Sequence, residues 1–311
     1  MVIEIPDVWE DAQAFHEQYV RARVEHKFRR EYSVGPVKKT VARFRQFVAS
    51  NLDTIVDSRT KDFSQVIAAF NLAFPAGSAA ADEATELAER VFNYVDFRDG
   101  NHSWSAYKLC RLARYKVCPY CHIAPAETQL KKAGFKGYRV QLDHYLPQST
   151  FPYLGLSLGN LIPSCDRCNG PFHKHVANFQ ANPHLNPLKD KGLLNFKLRP
   201  ANGGRWTPTM IAMREPFTSY EIRIDAPLVS IAAQNTLTTF HLESRYQLFV
   251  HDAVRVARVG LNRGWVHSIL RATGLTLTVQ MELGFPPADN HAYKSFPMGK
   301  MRRDVYLSVV R

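Results

Sequence analysis

Two Cys-x-x-Cys pairs, Cys118-Pro-Tyr-Cys121 and Cys165-Asp-Arg-Cys168, stand 43 residues apart in this chain of 311. Each pair has the spacing of a metal knuckle, and four thiolates suit a tetrahedral Zn²⁺. A metal held by both pairs ties together segments that are distant in sequence, so the stretch between them has to fold around it. Four thiolates leave no open position for water, which makes the expected role structural. The competing reading of Cys-Pro-Tyr-Cys as a redox dithiol explains one pair and ignores the other. The fifth cysteine, Cys110, has apolar neighbours and reads as a small buried hydrophobe. An odd count of cysteines, with no basic and then apolar leader in MVIEIPDVWEDAQ, argues for reduced thiols and a cytoplasmic location. No run of 18 apolar residues occurs, so no membrane span is expected.

Hydrophobic residues make up 45% of the chain and charged residues 22%, enough for a buried core. The expected class is α+β: a helical N-terminal region over 1–115, a metal module over 116–200 and a mixed α/β C-terminal region over 201–311. Helical spacing runs through Val8, Phe15, Tyr19 and Val20 and again through Val41, Phe44, Phe47 and Val48. Ser33-Val34-Gly35-Pro36 supplies a turn between these helices. Further helices are expected over Asp62 to Phe74 and Ala80 to Tyr94, parted at Pro75-Ala76-Gly77, and from an N-cap at Ser103 to Tyr115. Beyond Val117 the periodicity stops. Tyr138 to Leu142, Leu161 to Pro163, Tyr220 to Ile224 and Asp304 to Val310 read as strands, and Phe240 to Val259 as helix.

The formal net charge of +12 points to a polyanionic partner, with DNA the expected one. The basic stretch Arg21 to Arg45 is either a solvated helix face or a face toward phosphate. Lys131, Lys132, Lys136 and Arg139 precede the central strand and are placed to follow a phosphate backbone. Arg167 and Lys174 flank a helix expected to begin near Asp166, whose N-terminus also favours phosphate. No segment reads as a recognition helix with a base code.

Between the cysteine pairs lie Leu142-Asp143-His144-Tyr145-Leu146-Pro147 and Asn160-Leu161-Ile162-Pro163-Ser164-Cys165, with Asn169 directly after the last cysteine. Phosphodiester hydrolysis needs a base for water, a cation for the phosphate and help for the leaving oxygen. His144 is a natural general base near neutrality. Asp143 offers a hard oxygen ligand for Mg²⁺ or Mn²⁺. Neighbouring side chains on a regular strand point to opposite faces, so a bend or bulge is needed if both are to converge.

In order and spacing, CPYC, LDHYLP, NLIPSC and DRCN resemble the HNH endonuclease family of the ββα-metal fold. The resemblance implies that Asp143 binds a catalytic divalent metal, that His144 activates the attacking water, and that Asn160 braces the loop orienting His144. Asn169 would be the second metal ligand. The family places a lysine three residues after this asparagine, where the chain has Phe172 followed by His173-Lys174. His173 is therefore a further candidate ligand. Phe240-His-Leu-Glu243-Ser-Arg245-Tyr246 resembles the helical tail of HNH proteins of bacterial antiphage systems, in which the nuclease accompanies an ATPase. Other readings are a non-catalytic zinc module that binds nucleic acid or a protein partner, which leaves Asp143-His144 unexplained, and an HNH homing or restriction enzyme. The regions flanking the module are expected to grip the substrate or a partner.

Overall fold

The computed structural model describes residues 1–31, 39–57, 59, 62–99, 103–262 and 292–309. Among the described residues the fold is α+β, with helices dominating and three small antiparallel strand pairs. Helices α1 (Gln13–Glu31), α2 (Lys39–Val56), α3 (Phe63–Ala73) and α4 (Ala79–Val91) follow the apolar spacing of the sequence. The expected turn at Ser33–Pro36 lies outside the described residues. Asp62 caps α3 by accepting from the Ser64 amide, and Ser78 caps α4 by accepting from the Ala81 amide. The segment expected as one helix from Ala80 to Tyr94 is divided, because the Asn93 carboxamide accepts from the Asp96 amide at 2.7 Å and starts α5 (Tyr94–Asp99). Helix α6 (Ala106–Leu112) begins after Ser105, two residues later than the expected cap at Ser103.

The strand pairs are β1 (Thr128–Gln129) with β2 (Tyr138–Arg139), β3 (Gln141–His144) with β4 (Leu161–Ser164), and β5 (Asn195–Pro200) with β6 (Tyr220–Asp225). Between β4 and β5 lies one turn of helix, α7 (Asp166–Asn169). After β5 come α8 (Pro208–Ile211), α9 (Ile231–Thr239), α10 (Leu242–Tyr246), α11 (Val250–Leu261) and α12 (Gly299–Val309).

The terminal segment expected as a strand from Asp304 is thus a helix over its described part. Alternation would have buried Leu307 with Val305, whereas Leu307 is 40% exposed and the large apolar residues that are buried, Met301 and Val305, stand one turn apart. Packing of α12 on β5 and α11 decides between the two periodicities.

The N-terminal helices pack on the metal module. The loop from β3 to β4 contains a turn at Pro152–Leu154 that sits on α2 and α4. There Tyr153 stacks on Phe70 at 4.6 Å and meets Phe47 edge-on. Trp9 donates from its indole to the Leu161 carbonyl at 3.0 Å, and His16 meets the Leu156 carbonyl at 2.7 Å. On the other side, Phe240 stacks on Tyr120 of the first knuckle at 4.6 Å.

Candidate metal centre and histidine site

The four cysteine sulfurs lie within 4.8 Å of one another and all four residues are buried. None forms a disulfide. A tetrahedral zinc with bonds of about 2.3 Å separates its sulfurs by about 3.8 Å, and Cys121 and Cys165 Sγ are 4.0 Å apart. The donor set therefore fits a structural zinc or a similar soft cation. Two surroundings support it. The Ile123 amide points at Cys121 Sγ, 3.5 Å away, and Arg245 Nη1 lies 3.3 Å from Cys168 Sγ. Four thiolates around a divalent ion carry two net negative charges, which a neighbouring guanidinium offsets. The Tyr246 hydroxyl donates to the Cys121 carbonyl at 2.8 Å. The segment Phe240 to Tyr246 thus docks on the knuckles. Cys110 stands apart, and burial pushes its thiol up to about 12, in keeping with an inert buried side chain.

Strand β3 enters this cluster's neighbourhood with a regular ladder. Asp143 pairs with Ile162 and His144 with Leu161, without a bulge, so the two side chains leave opposite faces. The bend that would make them converge does not occur within the strand. Asp143 is 2% exposed. Its Oδ2 accepts from the Tyr120 hydroxyl at 2.5 Å and its Oδ1 meets Lys174 Nζ at 2.8 Å. Burial, with the Asp143 charge adding to it, raises the Tyr120 phenol well above its ordinary range. Lys174 also donates to the His144 carbonyl at 2.6 Å and is itself 2% exposed. Expected on the surface beside phosphate, Lys174 instead neutralises a buried carboxylate.

His144 lies on the other face, partly buried, with its ring edge-on to Tyr94 at 4.5 Å. Its Nε2 is 2.9 Å from the Gly155 carbonyl. A carbonyl only accepts, so Nε2 carries the proton and Nδ1 holds the lone pair. Burial lowers the imidazole pKa, against the opposing pull of the Gly155 carbonyl and the Asp143 charge. The ring is accordingly neutral at pH 7, the state a general base requires.

Asn160 is fully buried. Its carboxamide accepts from the Leu146 amide at 2.7 Å and donates to the carbonyls of Leu146 and Leu154 at 3.0 and 3.2 Å. It therefore ties the exit of β3 to the turn that immediately precedes Gly155.

Asn169 donates to the Gln141 side chain at 2.9 Å. Gln141 and Asp143 share a face of β3, which puts Asn169 on the Asp143 side. His173 Nδ1 meets the Thr239 carbonyl at 3.0 Å, at the end of α9. Helix α7 stops at Gly170, where a Cβ would lie 2.6 Å from the Asp166 carbonyl, and Pro171 follows. Helical spacing therefore no longer applies at Phe172, which is 85% exposed. The chain turns back, with the Lys174 amide on the Cys168 carbonyl, and Lys174 becomes the cation that reaches inward.

Lys131, Lys132, Lys136 and Arg167 are exposed, and Arg139 is half-buried against Tyr107. The sequence did not point to Tyr120, Gly155, Tyr94 or Arg245 as parts of the site. Tyr120 and Arg245 had a signal, the first inside a knuckle and the second inside a conspicuous segment. Gly155 and Tyr94 had none, because their contacts arise from tertiary packing.

No protein-family model matches the chain, and no solved structure matches it. Among curated proteins the chain is similar to the Septu protein PtuB of Bacillus thuringiensis, 33% identical over 87 residues. The matched segment covers 26% of this chain and 33% of that protein, so the chain spans about a third of the length of the relative it matches.

Proposed function

We propose that the chain is a metal-dependent endonuclease of the HNH type that hydrolyses DNA, and that it serves in bacterial antiphage defence beside a partner subunit such as an ATPase. One observation carries the reading. The His144 imidazole is fixed by the Gly155 carbonyl at the end of a strand pair that leads directly into the four-thiol cluster. In this reading His144 takes a proton from water at Nδ1, while the Gly155 carbonyl holds Nε2 and stabilises the imidazolium that forms. Asn160 positions the turn before Gly155. Lys174 holds Asp143 and the His144 backbone. The similarity to the Septu protein PtuB and the resemblance of the Phe240–Tyr246 segment to the tail of antiphage HNH proteins support the defence assignment.

The zinc would hold the two knuckles together through Cys118, Cys121, Cys165 and Cys168. The catalytic Mg²⁺ or Mn²⁺ would belong to Asp143 and Asn169, where it neutralises phosphate charge when bound. The Asp143 carboxylate already carries a cation, since Lys174 and Tyr120 occupy both its oxygens. A divalent ion there would have to take the place of the Lys174 ammonium. This same buried pair favours the second reading, a non-catalytic zinc module that binds nucleic acid or a protein.

Plasmid nicking with Mg²⁺, Mn²⁺ or no added divalent ion separates the two. Cleavage that needs the ion and disappears in His144→Ala, with the zinc retained, is the expected result. Cutting by His144→Ala at the parental rate overturns the assignment, and absence of cutting on both DNA and RNA supports the binding module. Discrete product bands would point to a homing or restriction enzyme.

A further inference from the structure

The hairpin formed by β1 and β2 combines a charge pattern and an exposure pattern that the chemistry at His144 does not use. Between Glu127 and Asp143 the sequence contains no acidic residue, while Lys131, Lys132, Lys136 and Arg139 all fall there. Two aromatic rings stand among these cations, and both face solvent: Phe135 is 45% exposed and Tyr138 52%. About half of each residue's surface lies open to solvent, where an external planar group can meet the ring.

The hairpin is a shaped element. Lys132 and Phe135 exchange both backbone hydrogen bonds across a tight turn at Ala133-Gly134, and Gly134 has φ +76°. At Gly137, φ is +77° and a Cβ would lie 2.9 Å from the Lys131 backbone nitrogen, so the second strand closes on the first only with glycine there. At its base, Lys131 lies over the Tyr107 ring at 4.9 Å and Arg139 at 5.8 Å, which fixes the hairpin on α6. Strand β2 leads through Val140 directly into β3. Tyr138 is six residues from His144, at most about 20 Å along an extended chain.

We propose that this hairpin is a platform for single-stranded DNA, on which Phe135 and Tyr138 stack unpaired bases while Lys131, Lys132 and Lys136 hold the intervening phosphates. Intact duplex offers the lysines their phosphates but hides the faces of its bases, so it would leave both rings without a partner. An unstacked strand satisfies both features at once, and every base has a face to offer, so the contact carries no sequence preference. The inference deepens the nuclease reading by naming the form of DNA that is presented to His144, and it rests on that reading only for the cleavage that follows.

The test is a binding measurement, kept separate from catalysis. Full-length His144→Ala protein, without added divalent ion, is titrated into a fluorescein-labelled mixed-sequence oligonucleotide, either single-stranded or annealed to its complement. Fluorescence anisotropy reads the affinity across a salt series. Tighter binding of the single strand is expected. Phe135→Ala with Tyr138→Ala should weaken it about thirty-fold or more, and should leave the salt slope and duplex binding unchanged. Replacing the three lysines by alanine should flatten the salt slope for both forms. Phe135→Tyr with Tyr138→Phe should bind as the parent does, which separates ring stacking from a folding defect. Equal or tighter binding of duplex, no binding of either form, or indifference to loss of both rings overturns the platform. If plasmid is nicked but the ring variants bind like the parent, this inference fails and the nuclease reading stands. If ring-dependent binding occurs without nicking, the reverse holds.

Discussion

Lys174 and Asp143 form an ion pair that is almost completely withdrawn from water, and such a pair is asymmetric in its energetics. The pair's net contribution is small, because desolvation offsets the attraction, but loss of one partner strands the other charge at a cost of about 3–5 kcal/mol. Lys174→Met is therefore expected to lower unfolding free energy by about 3 kcal/mol or more, and adding Asp143→Asn should recover a large part of the loss. Urea denaturation of both singles and the double variant checks this, and strictly additive losses would contradict a direct pair. The sequence made Asp143 and His144 conspicuous through their position between the knuckles, but the convergence of their side chains that the resemblance implied does not occur, because β3 runs in regular register without a bulge. It could not foretell the partner of Asp143. The place where the resemblance puts a lysine is occupied by Phe172, and the cation arrives two residues later because Gly170 and Pro171 end the helix. Spacing rules fail wherever the element that defines the spacing stops.

Strands β3 and β4 have four residues each, and a two-stranded pair of that length is marginal by itself. Its attachments include the thiol cluster after Ser164, the Asn160 carboxamide, the Trp9 indole on the Leu161 carbonyl and the Lys174 ammonium on the His144 carbonyl. With a zinc ion bound the thiols would dominate, because structural zinc sites contribute of the order of 10 kcal/mol in small peptides. Cys118→Ser is expected to reduce bound zinc from one equivalent toward none, by elemental analysis, and to lower the melting temperature sharply. Trp9→Phe removes one buried hydrogen bond, for which about 1–2 kcal/mol is expected, with zinc content unchanged. A Cys118→Ser protein that keeps its metal and its melting temperature would remove the staple from the argument. At this scale the sequence was most legible where one face of an element is apolar at a fixed period, as in α2, α3 and α4. It was least legible at the C-terminal segment, where Val305, Leu307 and Val309 satisfy a strand while Met301, Val305 and Val309 satisfy a helix, and only packing on β5 and α11 chooses.

The molecule as a whole is held by contacts that cross it, and one of them makes stability depend on pH. His16, on α1, is fully buried, with its Nε2 on the Leu156 carbonyl and its Nδ1 accepting from the Trp104 indole at 3.2 Å. Both nitrogens are used by the neutral ring, and a second proton on Nδ1 would oppose the Trp104 donor. Burial accordingly lowers the pKa from 6.5 to about 4, with the Leu156 carbonyl only partly opposing it. In the unfolded chain the same imidazole titrates near its ordinary value. Above about pH 6.5 both states are neutral there, and the group has no effect on stability. As pH falls below that, the unfolded state takes up a proton that the folded state refuses, so stability declines until the folded pKa near 4 is reached. The decline attributable to this group approaches 1.4 kcal/mol per pH unit, or about 3 kcal/mol over the window. His16→Gln keeps an amide donor for the Leu156 carbonyl but does not titrate. Urea unfolding of parent and variant between pH 7 and pH 4.5 should therefore diverge in slope by close to one proton, the variant being the flatter. Parallel curves would mean that His16 takes up its proton as readily in the folded state as in the unfolded chain, and that the N-terminal helices do not seal the loop from which Gly155 reaches His144.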